Sequence, residues 1–367
     1  MRVLFLTVST GHGHNSCAKA MEDYLKQQGI MTFVLDVYEY VHPLIGKTVS
    51  DVYSFASSKV PKIYGKFYDI EEEGKGKVVG TMKTLNRAIS SKLLKYIEEH
   101  QIDAIICSHL FAGELVTRLK ETGKLDVPSL GVITDYTIHP HWEDTNLDYY
   151  ITADKGLTRH AAMRGIPPEK IKPFGIPIQM KFAEKVQKQE AKEQLGFPQT
   201  DLVLVMMGSM GYGNMINILE EVDSVEKPFD VAVVCGNNKE AKETIDEMVF
   251  QHTVHNFGFV QNVDLMMDAA ECIVTKPGGL SVSESLAKEL PMILVDPIPG
   301  QEDRNVEFLM NNGVAMITTK TYPVGEALNQ LFEDDCRREE IKNAIHRIAK
   351  PFAAKTVGDF IVTQWGK

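Results

Sequence analysis

The sequence predicts an α/β protein made of two similar halves, each an open parallel sheet covered by helices. Short apolar runs alternate with helical patterns along the chain, as they do where parallel strands are buried on both faces. Each half opens with an apolar strand, at residues 2–8 and 201–207, that runs into a glycine-rich loop. The length of 367 residues suggests about two domains, each large enough for its own core.

The composition is that of an ordinary globular protein, with 44% hydrophobic and 24% charged residues. The net charge of −11 argues against general nucleic-acid binding. Five widely spaced cysteines in mostly apolar contexts favour reduced core thiols of a cytosolic protein over disulfides or a zinc site. The first residues enter a strand without a cationic leader, so we expect no signal peptide, and no apolar run is long enough to span a bilayer.

The first half begins with a βαβ pattern, in which we expect a helix from about residue 15 to 28 and a second strand at 32–37. The glycine loop between the first strand and the helix is close to a dinucleotide fingerprint, but the third glycine is replaced by Ser16. Asp36 could still serve as the ribose acid of a nicotinamide site. A dehydrogenase therefore stays among the alternatives, in last place.

Two histidines stand in this glycine loop. His14 lies at the end of the strand-to-helix turn, at the edge where open α/β sheets bind ligands. Its imidazole could take a proton from an attacking hydroxyl or contact an acceptor directly. His12 could equally be a capping or solvated side chain.

A second polar loop follows the strand that we predict at 129–134. It carries Asp135, His139, His141 and Trp142. Asp135 and His139 could form a carboxylate–imidazole pair. The simpler alternative is a helix-capping aspartate with surface histidines.

The segment at 43–97 differs from the rest of the chain in charge, with ten basic and five acidic residues. Aromatic and aliphatic residues, among them Tyr64 and Phe67, alternate with the basic ones. Such a segment can lie on an anionic membrane surface. The alternative is a pair of solvated helices with one apolar stripe toward the core.

The second half contains the most informative stretch, which begins with an apolar strand at 272–275. A Lys-Pro-Gly-Gly turn at 276–279 ends this strand, and a helix is expected at 280–288 with Ser281 or Ser283 as its N-cap. A strand, a glycine turn and a helix N-terminus together form a ready site for a phosphate.

Two further features extend this phosphate site. Glu284 on the first helical turn could take two ribose hydroxyls. After a strand predicted at 292–296, a loop carries Gln301, Glu302, Asp303 and Asn305, which suit a hydroxyl-rich ligand. Phosphate, ribose and sugar groups in this order predict a nucleotide-sugar site.

The domain boundaries follow from these patterns. Prolines and a glycine at 170–178 are typical of a domain junction. We expect an N-terminal domain at 1–176 with the basic segment inserted at 43–97, a C-terminal domain at 177–350, and a final helix at 351–367 that packs back on the first domain. The two halves are expected to be Rossmann-like domains that face each other across a cleft.

Over nearly its whole length the chain resembles the monogalactosyldiacylglycerol synthase and processive diacylglycerol glucosyltransferase family. The resemblance rests on Gly-His-Gly-His at 11–14, Thr134 and Asp135 with His139 and Trp142, Gly-Phe-Val at 258–260, Lys-Pro-Gly-Gly at 276–279 and Pro-Gly-Gln-Glu at 299–302. It implies a GT-B enzyme that transfers a hexose from a UDP-sugar to the hydroxyl of diacylglycerol with inversion, and glucose is favoured over galactose as the hexose.

The resemblance also implies roles for single residues. His14 or Asp135 would be the base, with His139 as a third catalytic candidate. Glu284 would bind the ribose, Phe259 and Val260 would border the uracil, and Gln301 and Glu302 would hold the hexose. The rest of the donor site would comprise Gly208, Ser209, Gly236, Lys276, Pro277, Gly278, Gly279 and Ser281, and the acceptor site Gly11, His12, Gly13, Tyr64, Phe67 and Trp142.

The resemblance implies a cytoplasmic enzyme that binds peripherally to the anionic inner face of the cell membrane. The UDP-sugar is a substrate, so no cofactor is expected. No Asp-x-Asp motif occurs, and helix dipoles with backbone amides would stabilise the leaving UDP without a metal. No nucleic-acid partner is expected, and no oligomeric state is predicted. The alternatives are a GT-B enzyme that uses UDP-N-acetylglucosamine, either a transferase to a polyprenyl-linked acceptor or a 2-epimerase, and a non-catalytic UDP-sugar or lipid sensor.

Overall fold

The computed structural model describes residues 1–8, 12–41, 82–208, 211 and 214–366. The chain divides into two compact units. The first comprises Met1–Met180, Pro299–Gln301 and Phe352–Lys367, and the second comprises Lys181–Ile298 and Glu302–Pro351.

The first unit is built on a parallel sheet of six strands in the order β2-β1-β3-β4-β5-β6. The side chains of β3 and β4 are all buried, as are those of β1 after its first residue, which explains their unbroken apolar sequences. The strands are β1 (Arg2–Thr7), β2 (Met31–Asp36), β3 (Ala104–Cys107), β4 (Ser129–Val132), β5 (Tyr149–Ile151) and β6 (Ile171–Lys172).

In the described part of this unit, five helices and three short 3-10 turns connect these strands. The first helix begins at His12, three residues earlier than expected, so His12 and His14 lie on its first turn and not in a loop. The helices are α1 (His12–Gln27), α2 (Val37–Val41), α3 (Met82–Glu99), α4 (Leu110–Glu121) and α5 (Thr158–Met163), and the 3-10 turns are Pro140–Asp144, Lys155–Leu157 and Pro168–Lys170.

The second unit contains another parallel sheet of six strands, in the order β12-β11-β10-β7-β8-β9. The strands β7 and β10, which pair with each other, lie at its centre. The strands are β7 (Leu202–Met206), β8 (Asp230–Val234), β9 (Thr253–Phe257), β10 (Cys272–Thr275), β11 (Met292–Leu294) and β12 (Ala315–Ile317).

Helices alternate with the strands of this sheet as the sequence pattern predicts. A 3-10 turn at Met180–Phe182 precedes them. The helices are α6 (Lys188–Leu195), α7 (Met215–Asp223), α8 (Lys239–Glu247), α9 (Val263–Ala269), α10 (Gly279–Ala287), α11 (Gln301–Asn311), α12 (Val324–Glu333) and α13 (Asp335–Ile348). The α/β class and the two parallel sheets are thus confirmed.

The last helix, α14 (Ala353–Trp365), packs on α1 within the first unit. The Tyr24 hydroxyl donates to Asp359 Oδ1 at 2.5 Å, and Lys355 Nζ lies 2.6 Å from Asp359 Oδ2. The Tyr24–Asp359 hydrogen bond therefore links the first and last helices of this unit, and the Lys355–Asp359 ion pair lies within α14.

All five cysteines are free, and Cys17, Cys107, Cys235 and Cys272 are buried, as predicted for core thiols. Burial raises the pKa of the Cys235 thiol to about 11 and that of Cys272 to about 12, so both stay protonated at neutral pH. Cys336 is exposed, in contrast to the prediction of core thiols, because it lies on the first turn of α13.

Candidate active site

The polar residues of the first unit gather where β1, β3 and β4 end. β1 lies between β2 and β3, so the ends of β1 and β3 form the topological switch point at which open α/β sheets bind ligands. Leu6 pairs with Cys107, and Cys107 pairs with Gly131. Because Leu6, Cys107 and Gly131 are in register, the segments that follow the three strands start side by side.

His14, on the first turn of α1, is fixed by hydrogen bonds to the segments after β3 and β4. Its Nδ1 lies 2.8 Å from the carbonyl oxygen of Ser108 and 3.2 Å from Thr134 Oγ1. A carbonyl oxygen can only accept, so Nδ1 carries the proton and donates it, and Nε2 keeps its lone pair.

The charge state of His14 follows from its surroundings. Desolvation is the largest effect and lowers the pKa of His14, although Asp135 and the Ser108 carbonyl oppose it. The imidazole is therefore neutral at physiological pH. Asp135 would stabilise the imidazolium once Nε2 accepted a proton.

A second imidazole, that of His109, lies beside His14. The ring centroids are 4.5 Å apart and the ring planes are at 74°. The Phe111 N–H donates to His109 Nδ1 at 3.2 Å, which caps α4. His109 was not predicted as a site residue. Its position directly after β3, the strand next to β1, was the available signal.

Asp135 and His139 belong to the loop after β4. His139 Nδ1 accepts the His141 N–H at 3.3 Å and caps the 3-10 turn at Pro140–Asp144. Burial, together with nearby His141 and Arg164, lowers the pKa of His139 to about 4. The carboxylate of Asp135 instead raises the pKa of His14. Asp135 thus acts electrostatically on His14, and its pairing with His139 stays a prediction.

Trp142 lies in the core, with only 4% of its surface exposed. Its ring packs edge-on against the Tyr150 ring, with the ring centroids 6.1 Å apart, and it also covers two glycines. A Cβ on Gly131 would lie 2.9 Å from Trp142 Cζ3, and one on Gly113 would lie 3.2 Å from the same atom. Trp142 therefore anchors the loop to β4 and α4, and its burial argues against the expected acceptor contact.

Several predicted residues fall where the structure gives little or nothing. Gly11, Tyr64, Phe67 and Ser209 lie outside the described residues, as does the part of the basic segment before residue 82. His12 is placed as the first residue of α1, but its side chain is not described, and Gly13 is half-buried on the same turn.

In the second unit the glycine turn leads from β10 into α10. Gly278 is the N-cap, with φ −72° and ψ 136°, and no side chain caps the helix. The prediction of Ser281 or Ser283 as N-cap was wrong, because the extended Gly278 lets the helix start before them. Ser283 Oγ instead donates to the Gly279 carbonyl inside the helix, at 2.7 Å. The first-turn amides thus remain available to an anion.

The first turn of α11 supports this glycine turn. Asn305 is fully buried, and its Nδ2 donates to the Pro277 carbonyl at 2.9 Å. Glu302 is 7% exposed and its Oε2 accepts the Ile298 N–H at 2.6 Å. Glu302 Oε1 would lie 3.8 Å from a Cβ added to Gly278. The supporting role of Asn305 was not predicted.

Glu284, on the second turn of α10, is a half-buried acid. Desolvation raises the pKa of its carboxyl to about 8, Lys181 opposes this, and Asp264 adds to it. Lys181 Nζ lies 2.9 Å from Asp264 Oδ1. In the free protein Glu284 is therefore largely protonated at neutral pH, a property that the sequence did not predict.

The other donor candidates follow neighbouring strands of the same sheet. Gly208 follows β7 with φ +72°, and Gly236 follows β8 with φ +57°. Phe259, after β9, is 59% exposed, and Val260 is half-buried. Gln301 is half-buried as the first residue of α11. Lys276 is half-buried in the turn, and Gly279 and Ser281 are on the first turn of α10.

Within the described ranges, no group of three or more His, Cys, Asp or Glu side chains could hold a metal ion. Of the helices in the described part of the chain, none is long and apolar enough to cross a membrane. What the two units do offer is a neutral imidazole beside a carboxylate in the first, and an uncapped helix N-terminus behind a glycine turn in the second.

Two family models match the chain. Residues 14–178 match monogalactosyldiacylglycerol (MGDG) synthase, and residues 202–357 match the glycosyltransferase family 28 C-terminal domain. The processive diacylglycerol beta-glucosyltransferase of Bacillus pumilus is 28% identical and is aligned over 99% of this chain and 95% of its own. The enzyme of the same name from Bacillus cereus strain ATCC 14579 is 29% identical over 99% of this chain and 94% of its own.

Solved structures show the same fold at lower identity. MurG of Acinetobacter baumannii superposes with a TM-score of 0.63 at 17% identity, over 99% of both chains. UDP-GlcNAc 2-epimerase of Neisseria meningitidis gives 0.62 at 13% identity, over 99% of this chain and 100% of its own. The predicted GT-B fold with two Rossmann-like domains is confirmed. Each half of the chain thus matches a glycosyltransferase family model, and with the full-length relatives in agreement the chain is a glycosyltransferase similar to the monogalactosyldiacylglycerol synthase and processive diacylglycerol glucosyltransferase family.

Proposed function

We propose that this glycosyltransferase moves glucose from UDP-glucose to the free hydroxyl of diacylglycerol, with inversion at the anomeric carbon. The observation that carries the chemistry is the state of His14, a neutral imidazole whose Nδ1–H is held by the Ser108 carbonyl and whose Nε2 is a free base. The names of the full-length relatives support diacylglycerol as acceptor and glucose as the sugar.

In the proposed reaction His14 acts as the general base. Its Nε2 takes the proton of the acceptor hydroxyl, and the hydroxyl oxygen forms a bond to the anomeric carbon of glucose. The bond from that carbon to the diphosphate breaks on the opposite face, and its electron pair leaves with UDP. Asp135 stabilises the imidazolium that results, as a carboxylate next to a catalytic histidine does.

The second unit would hold the donor and receive the negative charge of the leaving UDP. The amides at the start of α10, with Gly278, Gly279 and Ser281, would bind the diphosphate. Glu284 would bind the ribose, and the exposed ring of Phe259 with Val260 would border the uracil. Gln301 and Glu302 would hold the hexose. UDP-glucose is consumed as a substrate, and no metal or cofactor takes part in these steps.

The acceptor is a membrane lipid, so we propose that the enzyme works at the anionic inner face of the cell membrane, as a peripheral protein of the cytoplasm. The basic segment at 43–97 supports this, since each cation near an anionic surface contributes about 1 kcal/mol. Vesicles with anionic lipid should then bind the protein, and salt should release it.

Release of UDP from UDP-glucose, UDP-galactose and UDP-N-acetylglucosamine, with and without diacylglycerol in anionic vesicles, tests the proposal. Release that depends on diacylglycerol and is fastest with UDP-glucose is expected, together with a new glycolipid. Conversion of UDP-N-acetylglucosamine without lipid would identify an epimerase. UDP-sugar binding without turnover of any donor would identify a sensor.

A further inference from the structure

The junction between β3 and α4 fixes the protons of two imidazoles in opposite positions. The Ser108 carbonyl accepts the Nδ1–H of His14, whereas the Phe111 N–H donates to Nδ1 of His109. A carbonyl cannot donate and a backbone N–H cannot accept. In their neutral forms, His14 therefore has a lone pair at Nε2 and His109 has a proton there.

His109 keeps this neutral form over a wide pH range. Burial is the main cause that lowers its pKa well below the usual value, and the neighbouring His14 and His139 add to it. Protonation would also remove the lone pair with which Nδ1 accepts the Phe111 N–H and caps α4. His109 is thus a permanent hydrogen-bond donor and not a second base.

Neither Nε2 atom has a hydrogen-bond partner among the residues that the structure describes. The side chains of His14 and His109 are both half-buried. The two rings are in contact, with centroids 4.5 Å apart. A base and a donor are therefore presented side by side at the switch point of the first sheet.

We propose that His109 binds the acceptor, donating its Nε2–H to the ester carbonyl beside the hydroxyl from which His14 takes the proton. This assignment rests on the proposed function. Diacylglycerol carries an ester on the carbon next to its free hydroxyl, so a base and a donor on adjoining rings match two neighbouring oxygens of one glycerol unit. A sterol or another lone alcohol lacks the second oxygen.

Two matched lipids and two matched variants test this assignment. Dialkylglycerol of the same chain length keeps the hydroxyl but has no carbonyl. His109→Gln places an N–H near the position of Nε2, while His109→Asn places its oxygen near Nδ1, where it can still cap α4, and leaves no donor at Nε2. The measurements are kcat/KM for each lipid, the Kd of UDP-glucose and the Tm.

The wild type should prefer diacylglycerol to dialkylglycerol by about tenfold, the effect of one hydrogen bond to the acceptor. His109→Asn should lose about tenfold on diacylglycerol and little on dialkylglycerol, with the Kd of UDP-glucose and the Tm unchanged. His109→Gln should keep most of the preference despite a lower Tm from the lost cap.

An equal loss on both lipids in His109→Asn, or an unchanged preference, would overturn the assignment while the wild type still makes glycolipid. If the wild type glucosylated neither lipid, the proposed function itself would fail. The two failures are therefore told apart in one set of assays.

Discussion

The two units place their site residues at the same kind of sheet edge but use different chemical groups. In the first unit, the ends of β1 and β3 present the imidazoles of His14 and His109. In the second, the ends of β7 and β10 present glycine turns and the uncapped N-terminus of α10. At the first edge the functional groups are side chains, and at the second edge they are largely backbone amides.

The difference follows from what each half must bind. Proton transfer needs a group whose pKa burial and a neighbouring charge can adjust, and only side chains provide one. The charge of a diphosphate is met by several fixed N–H dipoles, which backbone supplies when no Cβ blocks the approach. Substitutions should therefore act on turnover in the first unit and on UDP affinity in the second.

The largest effect should come from His14→Ala. Without its base, glucosyl transfer should fall about a thousandfold, while the Kd of UDP-glucose stays within twofold of the wild type. Steady-state glycolipid formation and calorimetric titration would measure the two quantities. His100→Ala is the control, because His100 Nδ1 also bonds a backbone carbonyl, that of Tyr96 at 2.9 Å, but lies after α3 and away from the switch point. A large loss of UDP-glucose affinity in His14→Ala would contradict the assignment of turnover to the first unit and of UDP binding to the second.

Replacing two glycines of the second unit by alanine should have different effects, one on UDP binding and the other on stability. At Gly278 an added Cβ meets only Glu302 Oε1, at 3.8 Å, and φ is −72°, so Gly278→Ala should fold normally. The methyl group would occupy the approach to the diphosphate and weaken UDP binding by at least tenfold. At Gly211, φ is +62° and a Cβ would lie 2.0 Å from the Cys235 carbonyl oxygen, so Gly211→Ala should lower the Tm by several degrees. Unchanged UDP affinity in Gly278→Ala would show that this turn does not hold the diphosphate.

Glu284 should make UDP-glucose binding depend on pH. With a pKa of about 8 the carboxyl is protonated at pH 7, and it must ionise to accept two ribose hydroxyls. The affinity should rise by up to about tenfold per pH unit as pH approaches 8, and level off above it. Glu284→Gln should bind more weakly at pH 8.5 and show a flat profile. A wild-type profile that is equally flat would remove Glu284 from the ribose site.

The same carboxyl should affect stability. Its pKa rises on folding from 4.5 to about 8, so the folded state holds the proton more tightly. The free energy of unfolding should fall as pH rises between these values. In this range the folded state still holds the proton and the unfolded state does not, so unfolding releases a proton and is favoured by higher pH. The Tm of Glu284→Gln should therefore exceed that of the wild type at pH 8 and approach it at pH 5.

The smallest effect on activity should come from Trp142→Phe. The buried ring packs over Gly131 and Gly113, so its loss should lower stability by about 1–3 kcal/mol. The KM for diacylglycerol should not change. A higher KM at unchanged Tm would restore Trp142 to the acceptor site.

The sequence predicted the donor half better than the acceptor half because the donor half is local. A strand, a glycine turn and a helix at 272–287 form one continuous stretch, and their order alone indicates an anion site. The errors there were also local. The N-cap is Gly278 and not the predicted serine, and the support that Asn305 gives to the turn was not predicted.

The acceptor half could not be assembled in the same way because its parts come from three strand ends. His14, Ser108 and Asp135 are far apart in sequence, and the register of β1, β3 and β4 brings them together. Composition could not show that Asp135 acts on His14 or that His109 adjoins it. Tautomers and raised or lowered pKa values depend on such contacts between distant segments, so they appear only with the structure.

The most direct test of the central claim is the anomeric configuration of the lipid product, measured by NMR after incubation with UDP-glucose and diacylglycerol in anionic vesicles. UDP-glucose is an α-glucoside, so a base-assisted displacement of UDP by the lipid hydroxyl predicts a β-glucosyl diacylglycerol. An α-linked product, or consumption of UDP-glucose with no lipid product, would contradict the account.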